Sequence, residues 1–169
     1  MEKEFSRRSF LKMGTTAAAA MAVSPSLLMG KEKKGKKAAP QPLDRKLKIL
    51  GVGIGGRGAS VLKGLETEEI IGLCDVDWKY AAHIFERYPN AKRYNDYRVM
   101  FKELLDEADA VMVATADHTH AIIAAEAIAA GKHVYVEKPL THTVYESRLL
   151  TKLAAKHKVA TQMGNQGAS

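Results

Sequence analysis

Leu47-Lys48-Ile49-Leu50-Gly51-Val52-Gly53-Ile54-Gly55-Gly56-Arg57-Gly58 is an apolar strand running straight into Gly-x-Gly-x-x-Gly. Helix-compatible residues follow, then a second apolar run, Ile70-Ile71-Gly72-Leu73-Cys74, that ends in Asp75. Strand, glycine turn, helix, strand and acid in that order read as a dinucleotide site. Gly53 suits the tight turn, Gly55 admits a pyrophosphate to the backbone, and Gly58 lets the helix pack close to the strand with its first N–H groups toward the phosphates. Gly56 and Arg57 complete the turn. Asp75 lies 22 positions beyond Gly53, close to the spacing at which a carboxylate reaches a ribose 2′-hydroxyl. A carboxylate there favours NAD; NADP stays open because Arg57 could reach toward the adenosine side.

From Leu47 onward apolar strands alternate with amphipathic stretches, the βαβα rhythm of a parallel sheet with helices on both faces. Strands are expected at 47–52, 70–75, 92–94, 109–115, 132–136 and 158–163, and helices at 56–66, 77–88, 96–107, 117–130 and 143–157. Asp96 is placed to cap the third helix, whose Met100, Phe101, Leu104 and Leu105 share a face. Gly131 closes the fourth. The predicted fold is α/β, a doubly wound parallel sheet of Rossmann type ordered 3-2-1-4-5-6, with its crevice above the carboxyl ends of strands 1 and 4. Residues 47–169 form this domain, and 169 residues leave no room for a second full one.

Charge separates the domain from what precedes it. The formal charge of +7 resides entirely in residues 1–46, with 11 Lys+Arg against 4 Asp+Glu, whereas residues 47–169 balance 15 against 15. The domain therefore has no net field for phosphodiester backbones, and nucleic acid is set aside as a partner. Within residues 1–30, Ser6-Arg7-Arg8-Ser9-Phe10-Leu11-Lys12 precedes the Ala-rich run Met13 to Val23. This resembles a twin-arginine signal peptide, being too short for a spanning helix, and implies the twin-arginine translocase as partner and a periplasmic or secreted destination. Residues 31–46, basic with two prolines, read as a disordered linker. The single cysteine, Cys74, reads as a small core residue.

Strand 4 ends in Ala116-Asp117-His118-Thr119-His120. The His-x-His spacing could suit a metal, but no third or fourth ligand lies near, so no metal site is assigned. Asp117 could cap the following helix or face the nucleotide. Strand 5 stops at Glu137-Lys138-Pro139, where Lys138 could donate to a substrate hydroxyl or simply pair with Glu137 on the surface.

The glycine turn, Asp75, Asp-His-Thr-His, Glu-Lys-Pro and the closing Gln162-Met163-Gly164-Asn165-Gln166-Gly167 together resemble the glucose-fructose oxidoreductase, inositol dehydrogenase and MocA family, in its exported bacterial branch. The resemblance covers 47–169. It implies cofactor contacts at Gly53, Gly55, Gly56, Arg57, Gly58, Asp75, Asp117, His118, His120, Glu137, Lys138 and Asn165, and a catalytic role for Lys138. It further implies a sugar or polyol substrate, an NAD-dependent glycoside hydrolysis as the alternative chemistry, and a homo-oligomer as an open possibility. Ala116 and Ala168 depart from the residues common in that branch. Family members continue into a second α/β domain that forms the substrate wall. The chain stops at Ser169, so the expectation is a fragment or a truncated nucleotide-binding module in which that domain is absent.

Overall fold

The structure, a computed structural model, describes residues 44–166; the leader, the linker up to 43 and the last three residues, Ala168 among them, lie outside the described part. Six parallel strands form one sheet: β1 (Lys48–Val52), β2 (Glu69–Cys74), β3 (Lys92–Tyr94), β4 (Ala110–Val113), β5 (His133–Glu137) and β6 (Thr161–Gly164). Their order is β3-β2-β1-β4-β5-β6, as the alternation predicts. Five helices connect them: α1 (Arg57–Lys63), α2 (Ala82–Arg87), α3 (Tyr97–Leu104), α4 (His120–Ala129) and α5 (Val144–His157).

The apolar runs of β1 and β4 are buried on both faces, which is why they lack a polar alternation. One face carries Leu50, Val111, Ile123, Ala124 and Leu150 with α3, α4 and α5. The other carries Ile49, Ile54, Leu62, Phe85 and Met112 with α1 and α2. Small residues on α4 (Ala121, Ala124, Ala127) are buried and bring that helix close to the sheet. Toward β5 the second face turns polar: Tyr135 and Glu137 share one phase of the strand and stand opposite Gln162 and Gly164 of β6.

The helix ends follow their sequence signals. Asp96 caps α3 by accepting from the Arg98 amide at 2.9 Å, α5 opens with a Thr143–Glu146 capping box, and Gly131 follows α4 at φ 77°. Some boundaries differ from the expectation. The chain after β2 makes turns held by Asp77, whose carboxylate accepts from Tyr80 N at 2.9 Å, so α2 begins at Ala82 rather than 77. Tyr97 joins Met100, Phe101 and Leu104 on the buried face of α3, and Leu105 falls in a 3₁₀ turn instead. Lys158 closes α5 in the left-handed conformation at φ 55°, which moves the start of β6 from 158 to 161. The end of the basic segment is not free chain: both terminal nitrogens of Arg45 bind the Asp109 carboxylate, at 2.6 and 2.7 Å, and Lys48 N donates to the same group.

Candidate dinucleotide site

The strand order places the ends of β1, β2 and β4 side by side, and a cleft of about 570 Å³ opens there. It is lined by Gly53, Gly55, Gly56 and Arg57 of the turn, by Asp75, and by Thr115 after β4, among others. Gly53 has φ 77°, and a Cβ there would lie 2.7 Å from the Ala114 and Thr115 backbone, so neither the conformation nor the space admits a side chain. A Cβ at Gly58 would collide with the Gly53 carbonyl, which is how α1 comes to start tight against the turn. Bare backbone facing a cleft beside an acid at the end of β2 is what a dinucleotide requires, and the residues present fit it.

Asp75 is engaged more deeply than its spacing suggests. Its Oδ2 accepts from Ile54 N at 2.8 Å and Gly55 N at 3.0 Å, and its Oδ1 from Asp77 N at 3.0 Å. The carboxylate thus pins the glycine turn while leaving lone-pair capacity on Oδ1 for a ribose hydroxyl. Beside it, Asn95, Asp96, Tyr97 and Arg98 extend the wall, and the Tyr80 ring leans over Gly55 and Gly56. The sequence marks none of these five as a cleft residue, and Asp96 only as a helix cap. The residues at 95–98 could have been found from the 3-2-1 order, which sets the end of β3 beside Asp75; nothing in the sequence marks Tyr80. Cys74, buried under the cleft, has its thiol pushed up to about 12 by burial, with Asp75 and Asp96 adding to the effect.

Arg57 does not turn toward the adenosine side. Its Nε donates to Glu137 Oε1 at 3.1 Å, so the side chain crosses the end of β4 to reach β5. Glu137 is 3% exposed and also accepts from Gln166 Nε2 at 2.7 and 2.9 Å, Tyr135 OH at 3.1 Å and Lys138 N at 3.3 Å. Burial alone would raise its carboxyl, but the bonds from Gln166, Arg57, Tyr135 and Lys138 prevail and hold it below the usual range. Lys138 itself is exposed at the head of a cis Lys138–Pro139 bond, and its ammonium has no carboxylate partner among the described residues.

The loop after β4 is arranged differently from the expectation. Asp117 and His118 are exposed and outside the cleft lining, and Asp117 caps no helix: it opens a 3₁₀ turn, Asp117–Thr119, while Thr119 Oγ1 contacts Thr115 Oγ1 and the Ala116 carbonyl, both at 2.7 Å. His120 is 1% exposed. Its ring lies between the Pro139 carbonyl, 2.7 Å from Nδ1, and the Thr115 carbonyl, 3.0 Å from Nε2. It ties the β4 loop to the β5 turn rather than facing the cleft. Asn165 is exposed beyond β6, also outside the lining.

Residues 45–165 match the family described as oxidoreductases with an NAD-binding Rossmann fold, the glucose-fructose oxidoreductase, inositol dehydrogenase and MocA family. Residues 4–24 match the twin-arginine translocation signal, which directs the chain across the membrane to the periplasm. A glycosyl hydrolase family 109 protein of Shewanella pealeana is 30% identical over 161 residues, spanning 85% of this chain and 35% of that protein. An inositol 2-dehydrogenase of Salmonella paratyphi B is 29% identical over 119 residues, 67% of this chain and 35% of that protein. Among solved structures, GenD2 from gentamicin A biosynthesis in complex with NAD superposes with a TM-score of 0.62 at 30% identity, over 73% of this chain and 36% of that one. The chain thus spans about a third of the length of these relatives.

Proposed function

Because this chain belongs to the glucose-fructose oxidoreductase, inositol dehydrogenase and MocA family and supplies its NAD-binding Rossmann domain, we propose that it is the nucleotide-binding part of an exported enzyme that oxidises or reduces a sugar or polyol. The observation that carries this reading is Lys138. It stands exposed at the carboxyl end of β5, and the neighbouring carboxylate that could have neutralised it, Glu137, is turned inward to other partners. Bound NAD supplies a hydride acceptor or donor at its nicotinamide ring. Gly53, Gly55, Gly56 and Gly58 shape the bed for the pyrophosphate, Asp75 takes a ribose hydroxyl, and Lys138 hydrogen-bonds the substrate oxygen and carries its proton. The resemblance assigns Asp117, His118 and Asn165 to the cofactor as well, although each is exposed and outside the cleft lining; His120 holds the turn that presents Lys138. Expressed from its complete reading frame and loaded with NAD, the protein should reduce the cofactor with a member of a sugar and polyol panel. Absence of both hydride transfer and glycoside cleavage across that panel would leave a binding module only.

A second reading is favoured by the breadth of the match to the glycosyl hydrolase family 109 protein, 85% of this chain against 67% for the inositol dehydrogenase. In that chemistry the sugar is oxidised transiently, the aglycone is eliminated, water adds across the resulting double bond and the hydride returns, so no nucleotide is consumed, in keeping with periplasmic work. Cleavage of a chromogenic glycoside with no net NADH separates the two.

A further inference from the structure

Four side chains from three separate elements converge at the carboxyl end of β5. Arg57 comes from α1, Tyr135 and Glu137 from β5, and Gln166 from beyond β6. The convergence is built into the backbone: Gly164 stands opposite Glu137, and a Cβ at Gly164 would overlap the Tyr135 hydroxyl and lie 2.6 Å from Gln166 Nε2 and 2.8 Å from Glu137 Oε1. A larger residue on β6 there would have to displace these side-chain ends. Glu137 is its centre, receiving hydrogen bonds from all three partners and the Lys138 amide. A buried carboxylate this fully bonded has no capacity left for a ligand.

Arg57 is the member that reaches solvent. Its side chain is 49% exposed against 5% for Glu137, and it lines the nucleotide cleft. Only Nε is tied down; its two terminal nitrogens have no protein partner among the described residues. The direction of the side chain gives the geometry its meaning. Asp75 and the end of β3 mark the adenosine side, and β5 lies on the opposite side of β1 and β4. Arg57 is drawn toward β5 and therefore away from the adenosine ribose.

We propose that Glu137 is a positioning residue, not a cofactor ligand: together with Tyr135 and Gln166 it holds Arg57 across the end of β4, so that the terminal guanidinium nitrogens grip the phosphate on the nicotinamide side of the dinucleotide. The assignment rests on the nucleotide reading of the cleft. It predicts that the arginine in the turn does not confer NADP binding, because the Glu137 tether keeps it from a 2′-phosphate. It also makes the end of β5, which carries Lys138, mechanically continuous with the phosphate grip.

The test is a set of affinities on the intact chain, with NAD, ADP-ribose and AMP as probes. AMP carries only the adenosine-side phosphate. Arg57→Met should weaken NAD and ADP-ribose roughly 10- to 100-fold, the worth of a charge-assisted bond pair, and leave AMP unchanged. Glu137→Gln, which sets an amide against either Arg57 or Gln166, should show the same ligand pattern, and the double variant should bind no more weakly than Arg57→Met alone. Gln166→Ala serves as a milder variant should Glu137→Gln fail to fold, with the same pattern at smaller amplitude. Equal loss for AMP would make the cluster merely structural and overturn the proposal, as would additive losses in the double variant, which mean that Glu137 touches the ligand itself. A wild-type chain that binds neither NAD nor ADP-ribose would remove the nucleotide assignment as well.

Discussion

Asp75 Oδ2 lies 3.0 Å from the amide of Gly55, the residue of the turn over which a pyrophosphate must pass. The acid proposed to read the ribose therefore also pins the glycine turn, and the two roles cannot be mutated apart. Asp75→Ala removes the acceptor for Ile54 N, Gly55 N and Asp77 N together. The expected outcome is a loss of NAD affinity of about 10- to 100-fold, from one or two charge-assisted bonds, with no gain in NADP affinity. Titration by the fluorescence of Trp78, the one tryptophan, checks it. An Ala variant that binds NADP more tightly than the wild type would show that Asp75 acts on the ribose alone.

Acid stability should depend on Asp109. Its bidentate bond from Arg45, with Lys48 N contributing, holds its carboxyl far below the usual carboxylate range. A depressed folded value means that its stabilisation is fully present above about pH 4, the ordinary value of an unfolded aspartate, and is lost as pH falls through the folded value. Asp109→Asn should cost about 1 to 2 kcal/mol at pH 7. Because Arg45 is 57% exposed, salt should reduce that cost. Thermal melts from pH 7 to pH 2 should show the gap between variant and wild type narrowing steadily below about pH 4; a constant gap would place the effect in packing instead.

Cys74 should be silent to thiol reagents in the folded chain. It is 3% exposed and its thiol sits near 12, so at pH 8 almost no thiolate is present or reachable. Labelling should follow global unfolding across a urea series, and rapid modification of native protein would mean that the floor of the cleft opens locally.

The strand order and the glycine turn were legible because both are written locally. Turn chemistry marks Gly53, and the βαβα rhythm leaves few topologies once right-handed crossovers are required. The site was legible only where it is made of backbone. Side chains that act across strands were not. Asp75 was assigned to the ribose from spacing, whereas its bonds to Ile54 and Gly55 exist only once β2 lies beside β1. His120 looked like a crevice residue because it follows β4, yet the first turn of α4 rotates it inward beneath Pro139. The predicted strand order does not place Arg57, because it does not tell which way the side chain runs; the structure sends it across the end of β4 to Glu137. The shared phase of Tyr135 and Glu137 was the available hint, since a period of two puts both on one face.

Lys138 is where the enzymatic reading stands or falls. The plain alternative for this lysine was a surface pair with Glu137, and the geometry disfavours it: that carboxylate is bonded to Arg57, Tyr135 and Gln166, and toward Lys138 it accepts only the backbone amide. The ammonium is left exposed at the end of β5, outside the lining of the cleft. Under the proposed function, a group so placed acts on the reaction more than on cofactor binding. In the protein expressed from its complete reading frame, Lys138→Ala should lower kcat by roughly 10²- to 10⁴-fold, the usual contribution of a positioned proton-transfer group, while NAD affinity stays within about twofold. Lys138→Arg should not restore the rate, because a guanidinium keeps its proton near neutral pH. Parallel loss of NAD affinity and rate would make Lys138 a cofactor anchor, and full activity in the Ala variant would return it to the surface.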